Sequence, residues 1–224
     1  MKTELVIFDL DGTLVNTIAD LATASNYALA ACGYPTHHIS AYPFYVGNGI
    51  TKLIERALPS EARNDDEIER VKRIFREYYD EHLTDASEPY PGIPELLHEL
   101  RFRDVKLAVV SNKYQSAVER IIERLFPGIE WVAIIGQKPG IPTKPDPSMV
   151  FQVLLKSPVS KGAVMFVGDS GVDMETATRA GVESVGVTWG FRPESELTEY
   201  NADNIINSPS LLPGIIDSKN LNIF

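Results

Sequence analysis

The chain has 224 residues, with 31 acidic and 21 basic side chains and a net charge of −10. That length accommodates one large domain or a core with a smaller insert, and the acidic surplus repels nucleic-acid phosphates and anionic lipid headgroups, so neither nucleic acid nor a membrane is expected as a stable partner. An apolar share of 44% argues against extended disorder, and the single cysteine, Cys32, excludes an internal disulfide and points to a reducing compartment.

The first apolar run, Leu5–Phe8, stops at Asp9. It is too short for a signal peptide, and no stretch supplies the roughly 20 apolar residues of a membrane span, so a cytoplasmic location is expected. Three sets of residues at helical spacing follow: Ile18, Leu21, Ala22, Ser25, Ala28, Leu29 and Cys32; Ile50, Leu53, Ile54, Ala57 and Leu58; and Ile68, Val71, Ile74, Phe75, Tyr78 and Tyr79. Charged residues fill the opposite faces, the pattern of amphipathic helices. The turn-rich segment Tyr90-Pro91-Gly92-Ile93-Pro94 ends this stretch. Beyond it, residues 105–110, 132–135, 163–167, 184–187 and 204–206 repeat the short apolar run of a strand buried on both faces. Helical patterns at 116–125, 147–155 and 173–180 lie between most of them, the last closed by Gly181 at a C-cap position. Strand alternating with helix predicts an α/β fold with a doubly wound, Rossmann-like parallel sheet. Residues 1–14 and 86–224 would form it, interrupted by a smaller all-helical domain at 15–85.

In such a sheet, ligands bind beyond the carboxyl ends of the strands. Asp9-Leu10-Asp11-Gly12-Thr13 stands at the end of the first strand. An Asp-Gly pair alone reads as a turn, but two carboxylates this close repel unless a cation neutralises them, and hard divalent ions such as Mg²⁺ prefer carboxylate oxygen. Gly168-Asp169-Ser170-Gly171-Val172-Asp173 places a second acidic pair after another strand, although Asp173 also suits the first turn of a helix. Ser111-Asn112-Lys113, after the 105–110 run, reads either as a helix N-cap or as a phosphate cradle. Lys144 lies in Thr143-Lys144-Pro145-Asp146-Pro147, where it is either a solvated charge or a cation stiffened by the prolines for an anionic substrate.

Taken in order, Asp9-x-Asp11-Gly12-Thr13, Ser111-Asn112, Lys144-Pro145 and Gly168-Asp169-x-x-x-Asp173 resemble the four motifs of the haloacid dehalogenase superfamily, in its phosphatase branch. Val172 stands where many relatives carry Asn. The resemblance covers nearly the whole chain, and the helical stretch falls where that superfamily carries a cap. Val46-Gly47-Asn48-Gly49 and Val187-Thr188-Trp189-Gly190-Phe191-Arg192 are most similar to the phosphoglycolate phosphatase group. The resemblance implies Mg²⁺-dependent hydrolysis of a small phosphorylated metabolite by a monomer or homodimer. Asp9 would be the nucleophile, through an aspartyl-phosphate, and Asp11 the general acid and base. Asp9, Asp11, Asp169 and Asp173 would serve the metal, while Lys144 offsets charge. Thr13, Ser111 and Asn112 would contact phosphate, with Gly47, Asn48 and Gly49 on the cap side. Gly47 and Gly49 also fit a plain helix-entry turn. Lys52 and Arg192 are candidate partners for a substrate carboxylate or ordinary surface charges.

Competing readings are a sugar phosphomutase, a pyrophosphatase or a nucleotidase of the same superfamily, and a catalytically silent binding protein on the same fold. Asp11 disfavours a dehalogenase, whose branch lacks the second Asp. Gly168-Asp169-Ser170-Gly171 is similar to the nucleophile segment of trypsin-like proteases, but one cysteine and a βα pattern exclude that all-β class. His37, His38, His82 and His98 have no metal-binding spacing and are expected on polar surfaces.

Overall fold

The computed structural model describes residues 2–221. Strand β1, Leu5–Phe8, leads into β2, Val15–Asn16. Four helices follow: α1, Ile18–Ala31; the single turn α2, Tyr42–Tyr45; α3, Gly49–Ala57; and α4, Asp65–Glu81. The chain returns through β3, Glu88–Pro89, and α5, Ile93–Phe102, to β4, Lys106–Tyr114. Then come α6, Gln115–Leu125; β5, Ala133–Gln137; α7, Ser148–Lys156; and β6, Val164–Gly168. The last elements are α8, Gly171–Ala180; β7, Glu183–Val187; α9, Glu194–Glu199; β8, Asn204–Ile206; and α10, Leu212–Leu221.

Six strands form a parallel sheet in the order β5-β4-β1-β6-β7-β8. Successive side chains of a strand point to opposite faces, which is why the apolar runs are continuous and why two clusters result. Leu5 and Ile7 pack with Val110, Phe166 and, from α7 and α8, Met149, Val153 and Ala177. Val6 and Phe8 pack on the other face with Val109, Val167 and, from α5, α6 and α10, Leu97, Ile122 and Ile216. Both faces are covered, as a parallel sheet requires.

The helices α1–α4 lie between β2 and β3, which pair antiparallel as a two-rung ribbon. On α4, Ile68, Val71, Phe75 and Tyr79 recur at helical spacing and form its buried stripe. Asn64 caps the helix by accepting the N–H of Glu67 at 3.1 Å. The returning chain is fastened by buried Asp20 of α1, whose carboxylate accepts the N–H groups of Ala86 and Ser87 at 3.0 and 2.8 Å and the Ser87 hydroxyl at 2.6 Å.

One strand departs from expectation. The run expected at 105–110 continues to Tyr114, so Ser111, Asn112 and Lys113 sit in the strand's last turns of pleat and α6 begins only at Gln115. Pairing with β5 is irregular between Val110 and Tyr114. The Gln115 side chain spans the gap, donating to the Ile134 carbonyl at 2.9 Å and accepting the Gly136 N–H at 2.5 Å. Among the histidines, His37 is half-buried inside the insert, with Nε2 2.7 Å from the Ala57 carbonyl oxygen, and not on a polar surface. Among the described residues no helix is long and apolar enough to cross a membrane.

Candidate active site

β1 lies at the centre of the sheet, between β4 and β6, and the carboxyl ends of these three strands converge on one point. Asp9 emerges there, buried. Lys144, from the loop between β5 and α7, lies 2.8 Å from Asp9 Oδ1 and 2.6 Å from Asp173 Oδ1, itself fully buried. Asp169 follows β6, and Asp9, Asp169 and Asp173 each offer a carboxylate oxygen within 4.8 Å of the others. Burial raises the Asp9 carboxyl to about 7, against the pull of Lys144 and with the repulsion of Asp173. Asp169 is raised well above its ordinary value by burial and then by Asp173 and Asp9. Burial alone lowers the Lys144 ammonium, but the two carboxylates outweigh it and hold it above its usual range.

Each carboxylate has a local reason for its position. Asp173 Oδ2 accepts both the N–H and the hydroxyl of Ser170, at 3.1 and 2.6 Å, at the start of α8. Helix start and site geometry are therefore one arrangement, and the two readings of Asp173 coincide. Asp169 Oδ2 accepts the Phe191 N–H at 2.7 Å. Gly12 has φ +88°, and a Cβ there would lie 2.3 Å from Asp169 Oδ2; a Cβ on Gly190 would lie 2.3 Å from Asp169 Cβ and 2.4 Å from the Gly12 carbonyl oxygen. Both must be glycine for the loops after β1 and β7 to close around Asp169.

This arrangement fits a divalent cation. When ionised, the three carboxylates and one ammonium carry two uncompensated negative charges in a buried volume, and hard cations take oxygen ligands. Asp9 Oδ2 and Asp169 Oδ1 accept no hydrogen bond among the described residues, which leaves them free to coordinate.

Asp11 is held by two groups. Thr17 donates its hydroxyl to Oδ1 at 2.7 Å, and Lys113 lies 2.9 and 3.0 Å from the two carboxylate oxygens. Lys113 is buried, and sequence places it only as the third residue of the Ser111-Asn112-Lys113 segment, with no individual role. The usable signal was period two on a strand, which puts residue 113 on the same face as Ser111.

The other sequence candidates divide by what they touch. Ser111 is buried and accepts the Lys113 N–H at 3.2 Å, which leaves its hydroxyl hydrogen to donate. Thr13 is buried, and its hydroxyl has no hydrogen-bond partner among the described residues. Asn112 is fully engaged: its amide donates to the carbonyls of Gly47 and Lys144, both at 3.1 Å, and its oxygen accepts the Lys144 N–H at 2.8 Å. It therefore ties the insert to the loop that carries Lys144. Asn48 accepts from Arg56 at 2.8 Å, and Gly49 lies against the Asn112 carbonyl. Arg192 donates to the Val46 carbonyl at 3.0 Å, whereas Lys52 is exposed and paired with Glu55 at 2.6 Å. Between these parts lies a cavity of about 40 Å³ whose walls include Asp9, Asp11, Ser111 and Lys113 from the sheet side and Ile50 and Tyr79 from the insert.

The chain matches the sequence model of the haloacid dehalogenase-like hydrolases over residues 6–187. It is 34% identical over 220 residues to a phosphoglycolate phosphatase of Pseudomonas savastanoi, covering 96% of this chain and 80% of that protein. It is 31% identical over 209 residues to a phosphoglycolate phosphatase of Mesorhizobium japonicum, covering 92% of each. A crystal structure of a predicted phosphoglycolate phosphatase from Haemophilus somnus superposes with a TM-score of 0.88 at 31% identity, over 96% of this chain and 98% of that one.

Proposed function

The chain belongs to the haloacid dehalogenase-like hydrolases and is a phosphoric monoester hydrolase, and on that premise we propose that it is a Mg²⁺-dependent phosphatase acting on 2-phosphoglycolate or a close analogue through an aspartyl-phosphate. The observation that carries the proposal is Asp9. Its carboxylate is buried at the focus of three strand ends, with one oxygen against Lys144 at 2.8 Å and the other free.

One carboxylate oxygen of Asp9 attacks phosphorus in line and displaces the leaving alkoxide, so that oxygen gains the P–O bond that the ester loses. Asp11 donates a proton to that alkoxide and then takes one from the water that hydrolyses the aspartyl-phosphate. Lys113 and Thr17 hold the Asp11 carboxylate in place for both transfers. Lys144 offsets the charge of nucleophile and phosphoryl group, Asn112 fixes the Lys144 loop, and the Ser111 and Thr13 hydroxyls would donate to the phosphoryl oxygens. Asp9, Asp169 and the Asp11 carbonyl would hold Mg²⁺, with Asp173 behind them holding Lys144. The bound ion supplies positive charge to the phosphoryl oxygens and the nucleophile. The helical insert acts as a cap that excludes water and reads the leaving group. A cavity of about 40 Å³ offers space on the scale of a few water molecules.

Phosphate release from 2-phosphoglycolate should require added Mg²⁺ and stop with EDTA, and Asp9→Asn should be inactive while its melting temperature stays at or above that of the parent. Full turnover without metal, or by Asp9→Asn, contradicts the proposal.

A further inference from the structure

Beside the catalytic carboxylates, the cavity contains two donors that the proposed chemistry leaves partly or wholly unused. Tyr79 of α4 is fully buried, and its hydroxyl has no hydrogen-bond partner among the described residues. An unpaired buried hydroxyl is costly to keep, and this one belongs to a residue lining the cavity next to Asp11 and Lys113. Its ring is fixed by stacking on Phe75, with centroids 5.1 Å apart. Burial, and then the Asp11 charge, keep the phenol protonated, so it can only be offered as a donor or a neutral acceptor. The second donor is Lys113. An ammonium has three N–H groups. Two are accounted for by the oxygens of Asp11, and Nζ lies 5.0 Å from the centre of the Tyr79 ring. The third N–H therefore has an aromatic face where an anion would serve better.

We propose that the Tyr79 hydroxyl and the Lys113 ammonium form a leaving-group subsite that selects phosphate monoesters bearing a carboxylate beside the ester oxygen. The inference rests on the phosphatase reading above and adds the substrate's second functional group. A carboxylate offers lone pairs to both donors at once, whereas a neutral hydroxymethyl group satisfies them poorly and brings no charge to the ammonium. The basic residues that sequence alone suggested for this task are engaged elsewhere: Lys52 pairs with Glu55 in solvent, and Arg192 donates to the Val46 carbonyl. Leu21, Ile50, Leu53 and Phe75 make the apolar part of the wall, and of the other donors that line it Tyr114 donates to Asp80 and Asn112 to the Gly47 and Lys144 carbonyls, while the Ser111 hydroxyl is assigned to the phosphoryl group.

The test compares kcat/KM of the Mg²⁺-loaded full chain for 2-phosphoglycolate and for 2-hydroxyethyl phosphate, which has the same two carbons and no carboxylate. The parent should prefer the acid. Tyr79→Phe should reduce that preference by about 10- to 100-fold, the range for a hydrogen bond to a charged group, chiefly through KM for the acid. Because phenylalanine removes an unpaired buried hydroxyl, the variant should melt at or above the parent's temperature. An equal fall for both esters, or no change in their ratio, would make Tyr79 a packing residue and overturn the subsite. A parent that hydrolyses the neutral ester as well as the acid also overturns it while leaving the phosphatase intact. A parent inactive on both esters overturns the two together.

Discussion

Lys113 shows how much of this site depends on a single buried charge. Its ammonium is the only basic side chain contacting Asp11 among the described residues, across 102 positions of sequence. Positioned proton transfer contributes about 10²–10⁴-fold to rate, so Lys113→Met should lower kcat by about 100-fold in steady-state assays, and a loss under about threefold would remove it from the mechanism. That contact also marks what sequence could and could not provide at this scale. Asp9, Asp11 and Asp169 were legible because each stands at or just beyond an apolar run, and Asp173, which also suits a helix first turn, was legible as the second member of the pair with Asp169. Asn112 was legible as a polar residue at a strand end, but its bonds to Gly47 and Lys144 depend on loops 65 and 32 residues away. The Tyr79 hydroxyl was hidden altogether, because on α4 the residue reads as one more member of the apolar stripe.

The six strands of the main sheet were legible as elements because burial on both faces leaves a continuous apolar run. β4 outran its expected end for a tertiary reason. Asn and Lys are weak strand formers, but here the Asn112 side chain is satisfied by Gly47 and Lys144 and the Lys113 side chain by Asp11, and these contacts favour the extended backbone. β2 and β3 are two residues each, too short for any periodicity to register. The junction they form depends instead on Asp20, which gathers Ala86 and Ser87. Asp20→Ala leaves the two buried Ser87 donors and the part-buried Ala86 N–H without their charged acceptor, which should cost about 2–4 kcal/mol. Denaturant unfolding measures this directly, and a change below about 0.5 kcal/mol would mean that the ribbon and the helices hold the junction without the clasp.

At the level of the whole molecule, three of the 31 carboxylates gather at the strand ends around a single ammonium. Without metal, the folded Asp9 carboxyl titrates near 7 against an ordinary 3.8, and Asp169 is displaced in the same direction. A raised carboxyl favours folding while it is protonated, so this contribution is complete below about pH 4 and is lost as the pH rises through about 7. A divalent cation takes the proton's place. The gain in melting temperature from saturating Mg²⁺ should therefore be larger at about pH 8 than at about pH 5.5, and a gain independent of pH would mean that the ion binds elsewhere. The central claim is that Asp9 forms a covalent bond to phosphorus, and the stereochemical course at that atom tests it most directly. A phosphorothioate ester made chiral with oxygen isotopes, turned over in isotopically labelled water, should give product with net retention, because attack by Asp9 and then by water inverts the centre twice. Net inversion would mean a single direct attack by water and would contradict the account.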